Sequence, residues 1–468
     1  MLEAVVKRTQ YAVGHGGFHA GNISVRESAG PYDHGSSRHP IDNFRYVYDC
    51  GSEHRDAFNA ALRSYSRECD GKTDLLFVSH LHSDHINGIE RLQTMAPAET
   101  VVVPYLDVVA RLVFILSDFD EGSISSSALE YFQDPVDWWQ RRNAKRVIFL
   151  QPGGINDLPP SPPAAPDAPG DEDGPAAEMG DTSGEEKTPQ AKLAEHLRMP
   201  KGDIPDGLRP ASGTQQDSAD GGILAGPGSS FQLRWRANSF DTWRIGDWIL
   251  LPYVHPADVE ARSKFFSALK KALKLRDNDE SKLSQRLVDY LASREKIKVL
   301  LDVYADHFGR NQNALSMSLY SGPFCASHPL AGSGAEWGQY WYVFPEPSLP
   351  YSAFGYNFDE PVGWLGTGDA ALRQTIRRGP WLNFFKPYAR KIGVLTLPHH
   401  GSAHNFHEEL LSFGALKVAL ATTVGSRNKV ARLRETLAVV DAHRISSQVV
   451  DDDDDYSFEL CCRRNLCP

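Results

Sequence analysis

The sequence predicts an α+β fold, on three observations. Short apolar strand signals alternate with helical periodicity along most of its 468 residues. Apolar residues make up 41% and charged residues 23%, the balance of a chain able to bury a large core. No run of about 18 apolar residues breaks the pattern, so the sequence offers no membrane span. At about 150 residues per domain the length corresponds to roughly three domain-equivalents.

The elements follow in order. Residues 44–49 (FRYVYD) form a strand ending in a glycine turn, and 55–66 read as helix. Residues 74–79 (DLLFVS) make a short apolar strand, and a helix begins at 86. Strand signals recur at 100–103, 146–150, 231–237 and 248–251. Residues 258–275 and 281–304 carry apolar side chains at three-to-four spacing, such as Phe265, Leu269 and Leu273, and predict two amphipathic helices. Strands return at 315–320, 362–366, 393–397, 417–422 and 448–450, with a helix over 430–441.

Residues 151–222 differ in kind. They hold 12 of the 30 prolines, and 14 acidic against 5 basic residues. Too little apolar surface is present to offset the ordering entropy, so the stretch is read as a disordered acidic insertion, with a short helix near 190–198. The chain's net charge of −11 is therefore concentrated there, with five more acids at 451–455. That sign excludes a protein that coats nucleic acid by bulk charge. It leaves room for local basic clusters at Arg141, Arg142, Lys145 and Arg146, and at Arg373, Arg377, Arg378, Lys386, Arg390 and Lys391. Six scattered cysteines make no disulfide framework, and Cys461, Cys462 and Cys467 read as tail residues. The polar start MLEAVVKRTQ is unlike a signal peptide, so the expectation is a cytoplasmic protein without a membrane partner.

The chemistry concentrates at His80-Leu81-His82-Ser83-Asp84-His85, directly after the strand DLLFVS. His80 and His82, two apart at a strand end, can point the same way, and Asp84 and His85 follow in the turn. Two imidazoles can hold one divalent ion, and Asp84 with His85 a second. Asp369 after VGWLG and the pair His399-His400 after GVLTL share that layout, a strand delivering an acid or imidazole at its C-terminal end. In Gly14-His15-Gly16-Gly17-Phe18-His19, the histidines either line the pocket or cap a glycine turn.

HLHSDH resembles the HxHxDH signature of the metallo-β-lactamase superfamily. Tyr48-Asp49-Cys50-Gly51 resembles its first motif and Thr367-Gly368-Asp369 its bridging aspartate motif. VLTLPHHGS, the Asn311–Ser316 run (NQNALS), TTVGSRN and Val13-Gly14-His15-Gly16-Gly17 together are similar to the soluble metallo-β-lactamase domain of the ComEC competence protein. The resemblance implies a four-layer αβ/βα sandwich carrying a disordered acidic insertion and a helical insertion. Its N-terminal half would be 1–150, resumed at 223–256 after the acidic insertion 151–222. After the helical insertion 257–305, the C-terminal half would be 306–468.

The resemblance also implies two divalent ions, Zn²⁺ first and Mn²⁺ as the alternative, and hydrolysis by a metal-bound hydroxide. His80 and His82 would hold the first ion, Asp84 and His85 the second, with Asp369 bridging; Asp84 and Asp369 are the catalytic candidates. His399 or His400 would complete the second position, and the reading favours His399. No clean third histidine for the first position occurs, which leaves His255, His307, Asn311 and Asn313 as candidates, with His15 a further pocket residue. The expected function is a phosphodiesterase or nuclease with nucleic acid as substrate. The alternatives are hydrolysis of a lactone, thioester or cyclic nucleotide, and a non-catalytic module binding a protein partner through the acidic or helical insertion.

Overall fold

The computed structural model describes residues 2–27, 42–106, 108–117, 126–153, 222–225, 228–233, 248–255, 259–275, 283–291, 293, 295–308, 316–323, 338–343, 361–423, 427–452 and 457–466. The expectations for disorder and a short helix within 154–221, and for Asn311 and Asn313, lie outside the described residues.

Two mixed sheets carry the described residues. The first has nine strands. β1 (Leu2–Gln10), β2 (Gly16–Glu27) and β3 (Asp42–Ser52) run antiparallel to their neighbours. From β3 the sheet turns parallel through β4 (Thr73–Phe77), β5 (Ala98–Pro104), β6 (Arg146–Leu150) and β7 (Gly222–Ala225). On its far side β1 pairs with β16 (Phe458–Leu466), which pairs with β11 (Gly338–Val343). The cysteines read as tail residues thus sit in sheet: Cys462 is fully buried. Cys467 lies outside the described residues.

The second sheet has seven strands. β8 (Phe231–Leu233), β9 (Trp248–Val254), β10 (Met317–Pro323) and β12 (Gly363–Gly366) pair antiparallel in that order. β12 continues parallel into β13 (Ile392–Thr396), β14 (Val418–Thr422) and β15 (Ser446–Val450).

Alternation along the strands sends one set of side chains inward, where Tyr46, Phe77 and Ile148 of the first sheet meet Trp248, Leu319 and Trp364 of the second. The outer face of the first sheet is covered by α1 (Arg55–Glu68), α3 (Ile89–Met95) and α6 (Pro135–Gln140), with Trp139 fully buried beneath it. The outer face of the second is covered by α10 (Thr375–Phe385) and α11 (Arg427–Ala442). This two-sheet arrangement with outer helices is consistent with the sandwich that the resemblance implies.

The amphipathic stretch 258–304 is three helices rather than two: α7 (Val259–Ala272), α8 (Leu283–Leu291) and α9 (Ile297–Phe308). The second break falls at Ser293, whose carbonyl accepts from Ile297 N at 2.9 Å and whose hydroxyl accepts from Lys296 N at 3.4 Å. A serine there starts a new helix in place of continuing the old one. These helices pack on α4 (Val108–Ser117) and α5 (Ser126–Gln133) around Leu112, Phe132, Phe265 and Leu287. No helix among the described residues is long and apolar enough to cross a membrane.

Three of the four residues in the first basic cluster are ion-paired. Arg141 meets Asp137 at 2.7 Å, Arg142 meets Glu90 at 2.9 Å, and Lys145 meets Glu99 at 2.8 Å. In the second cluster Arg378 is buried against Glu409 at 2.8 Å.

Candidate metal centre

Three strand ends meet at one edge of the two sheets. β4 delivers His80 and His82, and the four-residue helix α2 (Ser83–Ile86) delivers Asp84 and His85. The turn after β12 delivers Asp369, and the short 3-10 turn Pro398–Gly401 after β13 delivers His399 and His400. Three sets of ligand atoms lie mutually within 4.8 Å: His80, His82 and Asp369; His85, Asp369 and His400; and His15, Asp84 and His400.

Asp369 divides the site. Its Oδ2 faces His80 Nε2 at 3.6 Å and His399 Nε2 at 3.6 Å. Its Oδ1 faces His85 Nε2 at 3.4 Å and His400 Nε2 at 3.8 Å. Asp84 Oδ2 lies on the second side, 3.6 Å from His85 Nε2 and 3.3 Å from His400 Nε2. The second set therefore takes His400, not the favoured His399. The cause is a backbone turn: both residues hold left-handed angles, φ 49° for His399 and 56° for His400. Each such residue costs about 1–3 kcal/mol. Two in succession send the neighbouring imidazoles to opposite oxygens of one carboxylate.

Three of the rings are held at Nδ1, which leaves Nε2 facing the centre. His80 Nδ1 pairs with Ser79 Oγ at 2.9 Å, His85 Nδ1 with Asp49 Oδ2 at 2.8 Å, and His400 Nδ1 with Thr422 Oγ1 at 2.9 Å. The Nε2 atoms of His80, His85 and His400 are buried and make no hydrogen bond. Buried polar atoms are normally satisfied. Three converging on two carboxylates, each backed by an outer partner, fit divalent metal.

Charge supports the same fit. Burial, aided by the charge on His85, pushes His80 well below its usual range, and burial lowers His82. A low value suits a metal ligand, which binds as the neutral imidazole. Burial alone would lower His85 as well, but Asp84, Asp49 and Asp369 hold it well above its usual value. Burial would raise Asp84, yet His85 and the neighbouring His400 hold it far below the usual carboxylate range. Burial is likewise overcome at Asp369, where His399, His80 and His85 keep the carboxylate ionised.

Two glycines make room for this. A Cβ at Gly17 would lie 2.6 Å from Asp49 Cβ and 2.8 Å from His85 Nδ1. Gly368, at φ 52°, lets the chain turn beside Ser79 and Ser316, and Ser316 Oγ accepts from Asp369 N at 3.0 Å.

Of the remaining candidates, His15 is at the site, with Nε2 3.9 Å from Asp84 Oδ2. His19 is not: it stacks on Trp364 between the sheets, with centroids 3.7 Å apart and planes 2° apart. His255 is fully buried beside Tyr253, with burial and Arg377 pushing its pKa down to about 3, and belongs to none of the three sets. His307 is tied to Val303 O of its own helix at 2.8 Å. Sequence reasoning assigned no site role to Asp49, Ser79 or Thr422. Asp49 carried a signal, an acid closing an early strand. Ser79 and Thr422 are ordinary strand-end residues.

No family profile and no curated protein matches the chain. Among solved structures, it is similar to the metallo-β-lactamase SMB-1 bound to 2-mercaptoethanesulfonate, at 16% identity and TM-score 0.12. It is also similar to MEM-A1, a subclass B3 metallo-β-lactamase from a soil metagenome library, at 21% identity and TM-score 0.12. Each match covers 25% of this chain and 38% of the other, so the chain spans well under half the length of either. What the chain does is therefore read from its own side chains.

Proposed function

We propose that this chain is a metal-dependent hydrolase that uses two divalent ions, Zn²⁺ or Mn²⁺, to cleave phosphodiesters. One observation carries the reading. The two oxygens of buried Asp369 face different sets of imidazoles, His80 and His399 on one side and His85 and His400 on the other. Such a carboxylate is placed to hold two cations side by side.

When bound, such a pair of ions supplies Lewis acidity and a water acidified toward neutrality. The chain's own residues do the rest. His80 and His82 would hold the first ion; Asp84, His85 and His400 the second. Ser79, Asp49 and Thr422 fix the tautomers of the rings they touch, so that each presents Nε2. Asp84 Oδ2, on the second side, is placed to orient a nucleophilic water, and His399, more exposed than its neighbours, lies at the rim where substrate arrives. Arg373, anchored to Ala403 O at 3.1 Å beside the histidine loop, is a candidate to meet a neighbouring phosphate.

A second reading, hydrolysis of a small molecule, has its own support. The rim beside His15 is acidic, with Glu53 Oε1 3.7 Å from His15 Nε2 and Asp452 paired to His54 at 3.0 Å. A polyanion is repelled from that side, whereas a neutral lactone or thioester is not, and a cyclic nucleotide with its single charge is repelled far less. The test is turnover of a chromogenic phosphodiester, single-stranded DNA and RNA by protein loaded with Mn²⁺ or Zn²⁺. Metal-dependent cleavage abolished by Asp84→Ala supports the proposal. Turnover of lactones or thioesters alone selects the second reading, and no hydrolysis of any of these overturns both.

A further inference from the structure

His15 stands in a short turn between β1 and β2 that is tied down on both sides. Gly14 N donates to Asp451 O at 2.8 Å, and Glu53 N donates to His15 O at 2.9 Å. Gly14 and Gly16 have φ of 72° and 151°, so the turn suits glycine on each side of the histidine. The turn is also coupled to the opposite sheet: Thr422 Oγ1, which holds His400 Nδ1, donates to Gly16 O at 3.3 Å. The His15 and His400 rings lie 3.9 Å apart, and His15 forms one of the three metal-capable sets, with Asp84 and His400.

We infer that His15 is an additional protein ligand of the second metal position. This rests on the proposed two-metal reading and deepens it. Asp84 Oδ2 is the shared corner, facing His400 Nε2 at 3.3 Å, His85 Nε2 at 3.6 Å and His15 Nε2 at 3.9 Å. A cation bonding at about 2.0–2.2 Å spans ligand atoms up to about 4.4 Å apart, so each of the three nitrogens is near enough to Asp84 Oδ2 to share an ion with it. Asp369 Oδ1 forms a set with His85 and His400, so with His15 and Asp84 the second position would draw on up to five protein donors. Catalytic zinc sites carry three protein ligands and an open place. Five mixed oxygen and nitrogen donors suit a divalent metal of higher coordination number than a three-ligand zinc site holds. His15 thus strengthens metal binding at the second position, while the first position keeps the smaller set His80, His82 and Asp369.

The experiment uses the full chain, stripped of metal and titrated with Co²⁺ and Mn²⁺. Calorimetry gives the two affinities, and proton NMR of the Co²⁺ form gives the paramagnetically shifted imidazole N–H signals. His15→Ala and the larger, polar His15→Gln are compared with wild type, with circular dichroism and melting confirming the fold. The expected result is a loss of at least tenfold in affinity at one of the two sites alone, and loss of one shifted N–H signal. Two ions bound with unchanged affinities and an unchanged signal set in both variants overturn the role of His15 and leave the two-metal reading standing. A wild-type protein that takes up no metal overturns both.

Discussion

Asp49→Asn isolates the chemistry of one buried carboxylate. Asp49 accepts from Ser79 N at 2.6 Å on Oδ1, and from Ser79 Oγ at 2.7 Å and His85 Nδ1 at 2.8 Å on Oδ2. With asparagine, Oδ1 can keep the Ser79 amide, and an NH₂ group then replaces Oδ2. His85 Nδ1 must accept from that group, which moves the ring proton to Nε2, the nitrogen that faces Asp84 and Asp369. A protonated Nε2 cannot ligate. Loss of such an outer partner lowers metal affinity about 10–100-fold, or about 1.4–2.8 kcal/mol. Stability falls by about 1–3 kcal/mol, because the bonds are weakened more than they are lost. Asp49→Ala, which strands all the donors, costs about 3–5 kcal/mol. Calorimetric titration with Zn²⁺ and urea unfolding measure the two quantities separately. Asp49→Asn protein that binds metal as tightly as wild type would refute the tautomer argument.

Other predictions follow from the same geometry. Thr422→Val removes the hydroxyl that holds His400 Nδ1 and lowers second-site affinity about 10-fold or more, with little change in the first site, read by the same titration. Gly17→Ala drives a methyl into Asp49 and His85 and destabilises by about 1–3 kcal/mol in urea, because both neighbours are buried and cannot yield. Trp139→Ala, in the core beneath the first sheet, costs about 3–5 kcal/mol yet leaves metal affinity unchanged in the folded fraction. Metal binding must displace the proton on His85, so affinity rises with pH until the raised pKa is passed, and calorimetry in buffers of differing ionisation enthalpy detects proton release. In the metal-free protein the sign is opposite for stability. The His85 contribution is fully present below its unfolded pKa of about 6.5 and is lost as pH rises through the higher folded value. Asp84, held low, contributes above about pH 3.9, and its contribution is lost as pH falls through its folded value.

Much of the centre was legible because metal-capable residues cluster in sequence after apolar strands: His80 to His85, Asp369, and the pair 399–400. The division of labour within that pair was not legible, since a tandem His-His gives no sign of two successive left-handed residues. Ser79 and Thr422 act through single hydrogen bonds, a role that leaves no periodic trace. Helix α4, VVARLVFILS, is apolar around most of its circumference, so three-to-four periodicity had little polar face to detect. Strand β16 pairs with β1 across almost the whole chain, Phe458 opposite Gln10, a partnership that local pattern cannot reveal. His255 follows an apolar strand as His80 does, yet the fold turns it into the core beside Tyr253.

The most direct test is anomalous X-ray diffraction from crystals of the full chain grown with Zn²⁺ or Mn²⁺, recorded on both sides of the metal's absorption edge. Two peaks about 3.5–4 Å apart, one beside each oxygen of Asp369, are the predicted result. Crystals grown in excess metal with no peak between Asp369 and the surrounding histidines would contradict the account.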